Sequence, residues 1–168
     1  MRITVVTAAL FMATLGSARD RATAQDVLPG GGHHKPFMAI AHRDLSFGEV
    51  FPGIPESVRS SDPRHNGLFE IQGGKHSPVR IEFLLPFALQ SAAGAQLPIA
   101  FGQGDGQADF ARSRFHGVFF DPRAPLVTDL GPNGKLFVRL GGTVYPTRDQ
   151  AGGAYYATIS ITVFDLGS

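Results

Sequence analysis

The chain has 168 residues, is 43% hydrophobic and 17% charged, and carries a formal charge of +1 with no cysteine and no tryptophan. Without cysteine, disulfides, thiolate catalysis and Cys-ligated zinc or iron–sulfur centres are excluded. So balanced a charge leaves no electrostatic footprint for nucleic acid or an anionic membrane, and the 14 Phe must supply much of the large-residue packing.

Met1-Arg2 is followed by an uncharged run from Ile3 to Leu15, the small residues Gly16-Ser17-Ala18, the charged Arg19-Asp20-Arg21, and Ala22-Thr23-Ala24. A basic start, a short apolar core and an Ala-x-Ala site predict a secretory signal peptide over 1–24. Cleavage is expected after Ala24, with Ala18 and Gln25 as alternatives, and an ordinary N-terminal helix is the competing reading. The apolar run is too short to span a bilayer, and no later segment is long enough for a transmembrane anchor. Residues 1–24 hold three of the 15 Lys+Arg and one of the 14 Asp+Glu, so the remaining 144 residues keep 12 and 13, a charge of −1. That length suits one domain with one core.

Residues 25–36 read as a flexible linker, since Pro29-Gly30-Gly31-Gly32-His33-His34-Lys35-Pro36 has no periodicity. A single domain is expected over 37–168. Phe37 to Ala41 and Leu45 to Val50 read as two short strands or one bent one, closed by Pro52, Gly53 and Pro55. Val58 begins a short edge strand. Asn66-Gly67 opens Leu68 to Ile71. Val79, Ile81, Phe83 and Leu85 alternate with Arg80 and Glu82, which predicts a strand with an ion pair on its solvent face. Leu97 to Phe101 is a shorter strand, and Gly102 to Asp109 reads as a Gly- and Asp-rich loop. Phe110 to Leu130 is broken by Pro122 and Pro125 and defies a period assignment. Asn133-Gly134 predicts a type I′ hairpin turn. Leu136 to Leu140 leaves it, and Gly141-Gly142-Thr143-Val144-Tyr145 continues through a bulge. Beyond Gly152-Gly153, Ala154 to Asp165 alternates: Tyr155, Ala157, Ile159, Ile161 and Val163 on one face, Tyr156, Thr158, Ser160 and Thr162 on the other. About seven to nine short strands, no long amphipathic helix and no internal repeat point to an all-β sandwich or barrel.

Leu45-Ser46-Phe47-Gly48 with Pro52-Gly53, then Gly67 to Gly73, Val79 to Phe83, Leu140-Gly141-Gly142-Thr143, and Ala151 to Val163 occur in a set order. In that order they resemble the bacterial secreted family called domain of unknown function 4402, over roughly Phe37 to Leu166. The family is similar in pattern to major subunits of some bacterial fimbriae. The resemblance implies an immunoglobulin-like antiparallel β-sandwich exported to the periplasm, cell surface or exterior, without a known activity. Gly102 to Gly134 departs from the family pattern.

Arg112, Arg114, His116 and Arg123 interleave with Phe110, Phe115, Phe119 and Phe120. This mixture can serve a partner protein or an anionic surface glycan, with Arg112, Arg114, Phe115, His116 and Arg123 as candidate contacts. The competing reading has the Phe side chains in the core and the Arg side chains in solvent. His33-His34 with His42 or His65 makes a poor chelate, because adjacent residues of an extended chain point apart. Asp105 and Asp109 lack the oxygen spacing of a calcium loop. No Gly-x-Ser-x-Gly or His-Glu-x-x-His occurs, so no catalytic site, metal or cofactor is assigned. The reading reached is a non-enzymatic structural or adhesive subunit that contacts copies of itself or related subunits. A glycan- or partner-binding module using 110–130 is the alternative, and a secreted hydrolase a more remote one. Strand donation between subunits would have to draw on Gln25 to Ala41, of which only Phe37 to Ala41 is strand-like.

Overall fold

The computed structural model describes residues 4–5, 36–112 and 117–167, with backbone pairing alone for 4–5. The signal peptide and cleavage sites, apart from Thr4–Val5, and the linker up to Lys35 lie outside the described residues. The described residues form strands and turns with no helix. The strands are β1 (Thr4–Val5), β2 (Met38–Arg43), β3 (Glu56–Val58), β4 (Gly67–Gln72), β5 (Pro78–Leu84), β6 (Ala88–Ser91) and β7 (Gln96–Ala100). Then come β8 (Gly106–Asp109), β9 (Val118–Phe120), β10 (Leu126–Asp129), β11 (Lys135–Leu140), β12 (Gly142–Val144), β13 (Tyr155–Tyr156) and β14 (Thr158–Asp165).

They build three sheets, in the orders β1-β14-β5-β10, β2-β4-β11-β8-β9 and β13-β6-β7-β12-β3. Every pairing is antiparallel except that of Thr4–Val5 with Thr158–Ile159, which is parallel. The inner faces of all three sheets meet in one core, with Val79, Ile81, Ile159 and Ile161 from the first, Phe69, Ile71, Leu136 and Val138 from the second, and Leu89, Leu97, Val144 and Tyr155 from the third. Phe83 of β5 ties the layers together. It meets Phe69 of β4 edge-on at 5.9 Å and stacks on Phe120 of β9 at 6.2 Å.

The strands outnumber those read from the sequence because the chain repeatedly changes sheet. Leu136 to Tyr145 is one path in sequence but serves two sheets. β11 lies between β4 and β8, and β12 between β7 and β3. The change falls at Gly141, whose N–H donates to the Asp105 carbonyl at 2.7 Å. A Cβ there would run into the Val58 carbonyl and sit 2.7 Å from the Ser60 nitrogen, so only glycine fits. The final alternating run likewise divides at Ala157. β13 pairs with β6 in one sheet and β14 with β5 in another. Its face assignment holds throughout: Tyr155, Ile159 and Ile161 are buried, and Ala157 and Val163 partly so.

Four expectations are corrected. Leu45 to Val50 forms no strand. Leu45 and Phe47 instead reach into the core from an irregular segment fixed by the Ser46 N–H on the His65 carbonyl at 2.8 Å. Gly102 to Asp109 is not all loop, since Gly106–Asp109 is β8, paired between β11 and β9. Asn133-Gly134 does turn the chain, but it carries it from β10 to β11 in different sheets, so it closes no two-strand hairpin. Only Gly134 there has positive φ (72°), with its N–H on the Gly131 carbonyl at 2.8 Å. Pro132 at the second position and a left-handed glycine at the fourth fit a type I turn with a following bulge, not the type I′ turn. Finally, Met38 to Ala41 pairs in cis with β4, so this part of the candidate donor segment already belongs to its own chain's sheet.

Candidate functional site

The charged side chains gather on the second sheet's outer face, opposite the core. Glu70 stands there in the middle of the apolar β4 and is buried. Its carboxylate accepts hydrogen bonds from Lys135 Nζ on β11 at 2.6 Å, His42 Nε2 on β2 at 2.6 Å and Gln72 Nε2 at 2.9 Å. Burial pushes the carboxyl pKa up, but the bonds from Lys135, His42 and Gln72 outweigh it and hold it at about 2. Such a carboxylate is a poor proton acceptor at neutral pH. Its work is to stitch three strands together.

Arg139, two positions inside β11 from Phe137, is almost wholly buried. Its Nη2 donates to the carbonyls of Arg112 at 2.6 Å and Ala111 at 3.2 Å. The Ala111–Arg112 backbone that follows β8 is thereby anchored to β11. Burial lowers the Arg139 pKa, and the Asp109 charge opposes this. Arg43 donates its Nε to the Asn66 carbonyl at 2.8 Å and its Nη2 to the Asn66 side chain. Burial lowers the Arg43 pKa first, and the Arg112 charge lowers it further.

The proposed contact residues are divided by this arrangement. Arg112 is exposed beyond the Asp109 end of β8. Arg123 lies beyond β9, where its guanidinium is bound to Asp121 at 2.6 and 2.9 Å. The hydrogen bonds and charge of Arg123 hold the Asp121 carboxyl at about 2. Because β8 and β9 run antiparallel, the segments carrying Arg112 and Arg123 leave the pair at opposite ends. Arg114, Phe115 and His116 lie outside the described residues. The Phe residues of the segment split too. Phe120 packs toward the core, while Phe110 and Phe119 are exposed.

Asp105 and Asp109 serve turns. Asp105 accepts the Gly102 N–H at 2.7 Å, and Asp109 the Ala111 N–H at 3.0 Å. Asp62 accepts from Arg64 N–H and His65 Nδ1, both at 2.9 Å. Among the described residues no three His, Asp or Glu side chains converge to hold a metal ion. Arg80 and Glu82 form the expected ion pair, and the Arg80 guanidinium lies 5.5 Å from the Phe164 ring centre.

A cleft of about 400 Å³ opens between the loops 48–52 and 146–154. Glu49 is its one carboxylate, and neither His nor Ser lines it, so it offers no nucleophile–base pair. The Tyr155 hydroxyl donates to the Ala151 carbonyl at 2.6 Å and accepts from Gln150 at 2.7 Å, spending its hydrogen bonds on its own loop.

The Glu70 and Arg139 anchors are what the sequence reading passed over. Their signal is a single charge inside an otherwise apolar strand, Leu68-Phe69-Glu70-Ile71 and Leu136-Phe137-Val138-Arg139-Leu140. No protein family, curated protein or solved structure matches this chain in the comparisons. Among the described residues no helix is long and apolar enough to cross a membrane.

Proposed function

We propose that this chain is an exported subunit with an immunoglobulin-like β-sandwich, akin to the fimbrial type that its sequence resembles. It acts without catalysis, through protein contacts at its sheet edges with copies of itself or a related subunit. One observation supports this most. β9, Val118-Phe119-Phe120, is the edge strand of the second sheet, and its outer edge pairs with no strand among the described residues. Soluble proteins protect such edges with charge, proline or bulges, because an apolar unpaired strand invites another. β9 is only three residues long and is followed by Asp121-Pro122, but its own residues carry no charge, proline or bulge, and Val118 and Phe119 are 73% and 57% exposed. An apolar edge left open suits strand addition, in which main-chain hydrogen bonds give affinity and alternate side chains give register.

The test is the oligomeric state of the mature exported protein, by sedimentation and electron microscopy, beside Val118→Lys/Phe119→Lys. Concentration-dependent assembly by the wild type, lost in the variant with its melt unchanged, is expected. A wild type that stays monomeric at high concentration and recruits no related subunit, or a variant that assembles equally well, overturns the proposal.

A further inference from the structure

The third sheet presents an outer face unlike the other two. The register fixes its rows. Tyr156 stands beside Gln90, and Gln90 beside Gln96. Ala88 stands beside Pro98, whose carbonyl accepts the Tyr145 N–H at 2.9 Å. Ala100 stands beside Thr143, and Thr143 beside Ser57, with the two hydroxyls 2.8 Å apart. The opposite faces of these strands carry Leu89, Leu97, Ile99, Val144 and Tyr155 into the core, so the outward set follows from alternation.

None of these outward residues carries a formal charge. The corresponding face of the first sheet has Arg80 and Glu82, and that of the second has Glu70, Lys135 and Arg139. What the third sheet offers is two half-exposed rings, Tyr156 at 50% and Tyr145 at 47%, with two exposed glutamines between or beside them. Tyr156 is on β13 and Tyr145 directly follows β12, three strands away, so their backbones are on the order of 14 Å apart across the sheet. Tyrosine gives a rigid apolar platform with a polar tip at low conformational cost, and each amide gives both donors and an acceptor.

We propose that this face binds an extended, neutral polysaccharide. The C–H face of a pyranose ring lies on each tyrosine, and ring hydroxyls hydrogen-bond to Gln90 and Gln96. Neutrality is the complementary feature: an anionic chain would find no cation among these outward strand residues, whereas a neutral one loses nothing by the lack of charge. Size argues against a second protein copy. Five strands about 4.8 Å apart with three residue rows about 6.6 Å apart make a patch of roughly 500 Å², below the ~800 Å² per partner of a stable protein interface. The apolar part of the face is two alanines, a proline and the rings, too little for the apolar centre of an obligate dimer. The inference shares with the proposed function only the premise that the domain works through its surface, and it involves a different sheet from β9.

Affinity electrophoresis of the mature chain through gels holding soluble β-glucan, xylan or chitohexaose, with heparin as a polyanion control, tests it. Retardation by a neutral glycan, little changed by 0.5 M salt as uncharged contacts require (~0.5 M being far beyond screening of surface charge), is expected. It should weaken at least tenfold in Tyr145→Ala/Tyr156→Ala, with the melt unchanged. If that variant misfolds, Gln90→Ala must show the loss in the folded state. No retardation by any neutral glycan, equal retardation of wild type and variants, or retention by heparin alone overturns the inference. Self-association that the tyrosine variant abolishes also overturns it and gives the face to a second copy. The Val118→Lys/Phe119→Lys variant should bind the glycan like wild type, so failure of edge assembly and failure of this face are read separately.

Discussion

Glu70→Gln removes the charge that the Lys135–Glu70–His42 stitch is built around while keeping the side-chain size. In the folded chain the carboxyl pKa is held at about 2, against 4.5 for the free group. A depressed carboxyl contributes stability that is fully present above the unfolded pKa and fades as pH falls toward the folded one. With 1.36 kcal/mol per pKa unit, the ionised form contributes about 3 kcal/mol at pH 7, about 1 at pH 3 and close to nothing at pH 2. Glu70 is buried but Lys135 is 41% exposed, so solvent screens part of the interaction and these figures are upper values. The variant keeps hydrogen-bonding capacity but cannot ionise, so its loss should follow the same curve. Urea unfolding of wild type and Glu70→Gln at pH 7 and pH 3 measures it, and the difference between the two proteins cancels the other carboxylates. A deficit of about 3 kcal/mol at pH 7 that shrinks to about 1 at pH 3 is expected. A deficit equal at both pH values refutes the reasoning, because it would show that packing rather than charge is lost. No deficit at pH 7 would show that Lys135 and His42 do not hold the carboxylate in solution.

Ile161 is 2% exposed and Thr162 faces outward beside Glu82, so Ile161→Asp should prevent folding, at a cost of several kcal/mol, while Thr162→Asp should cost only the roughly 1 kcal/mol of a like-charge cross-strand pair; equal damage from both in thermal melts would mean that the strand is covered on each face. Gly141→Ala should cost about 2 kcal/mol or more, since the added methyl meets main-chain atoms of Val58 and Ser60 that cannot swing away, and a neutral urea midpoint would refute the close approach. Arg139→Ala should release the Ala111–Arg112 segment, read as faster amide exchange and new proteolytic cuts around 110–112, whereas unchanged protection would show that the segment is held by something else.

What was legible in the sequence was set by local period. Ile159 and Ile161 alternate with Ser160 and Thr162, and Val79 and Ile81 with Arg80 and Glu82, so face assignment needed no tertiary knowledge. Changes of sheet were not legible, because a strand that bends at Gly141 or Ala157 keeps its alternation while its hydrogen-bonding partners change. β6 and β8 were hidden for a different reason. Ala88-Leu89-Gln90-Ser91 and Gly106-Gln107-Ala108-Asp109 are weak strand formers held by neighbours on both sides, so tertiary pairing decides them. The site was less legible still. Arg112 and Arg123 look like one cluster when spacing is read along the chain, but their segments leave the antiparallel β8–β9 pair at opposite ends. Tyr145 and Tyr156 are eleven positions apart with a glycine-rich loop between, and only the order β13-β6-β7-β12 places them on one face.

Amide hydrogen exchange of the mature protein at low and high concentration addresses the proposed role of the β9 edge most directly. The outward-pointing amides of Val118–Phe120 pair with no strand among the described residues, so in dilute protein they should exchange quickly. If subunits meet at this edge, those amides slow by an order of magnitude or more in concentrated protein, while the amides of the edge strand β10 keep their rates. Exchange at β9 that is the same at both concentrations, or protection that appears only elsewhere, contradicts assembly through that strand.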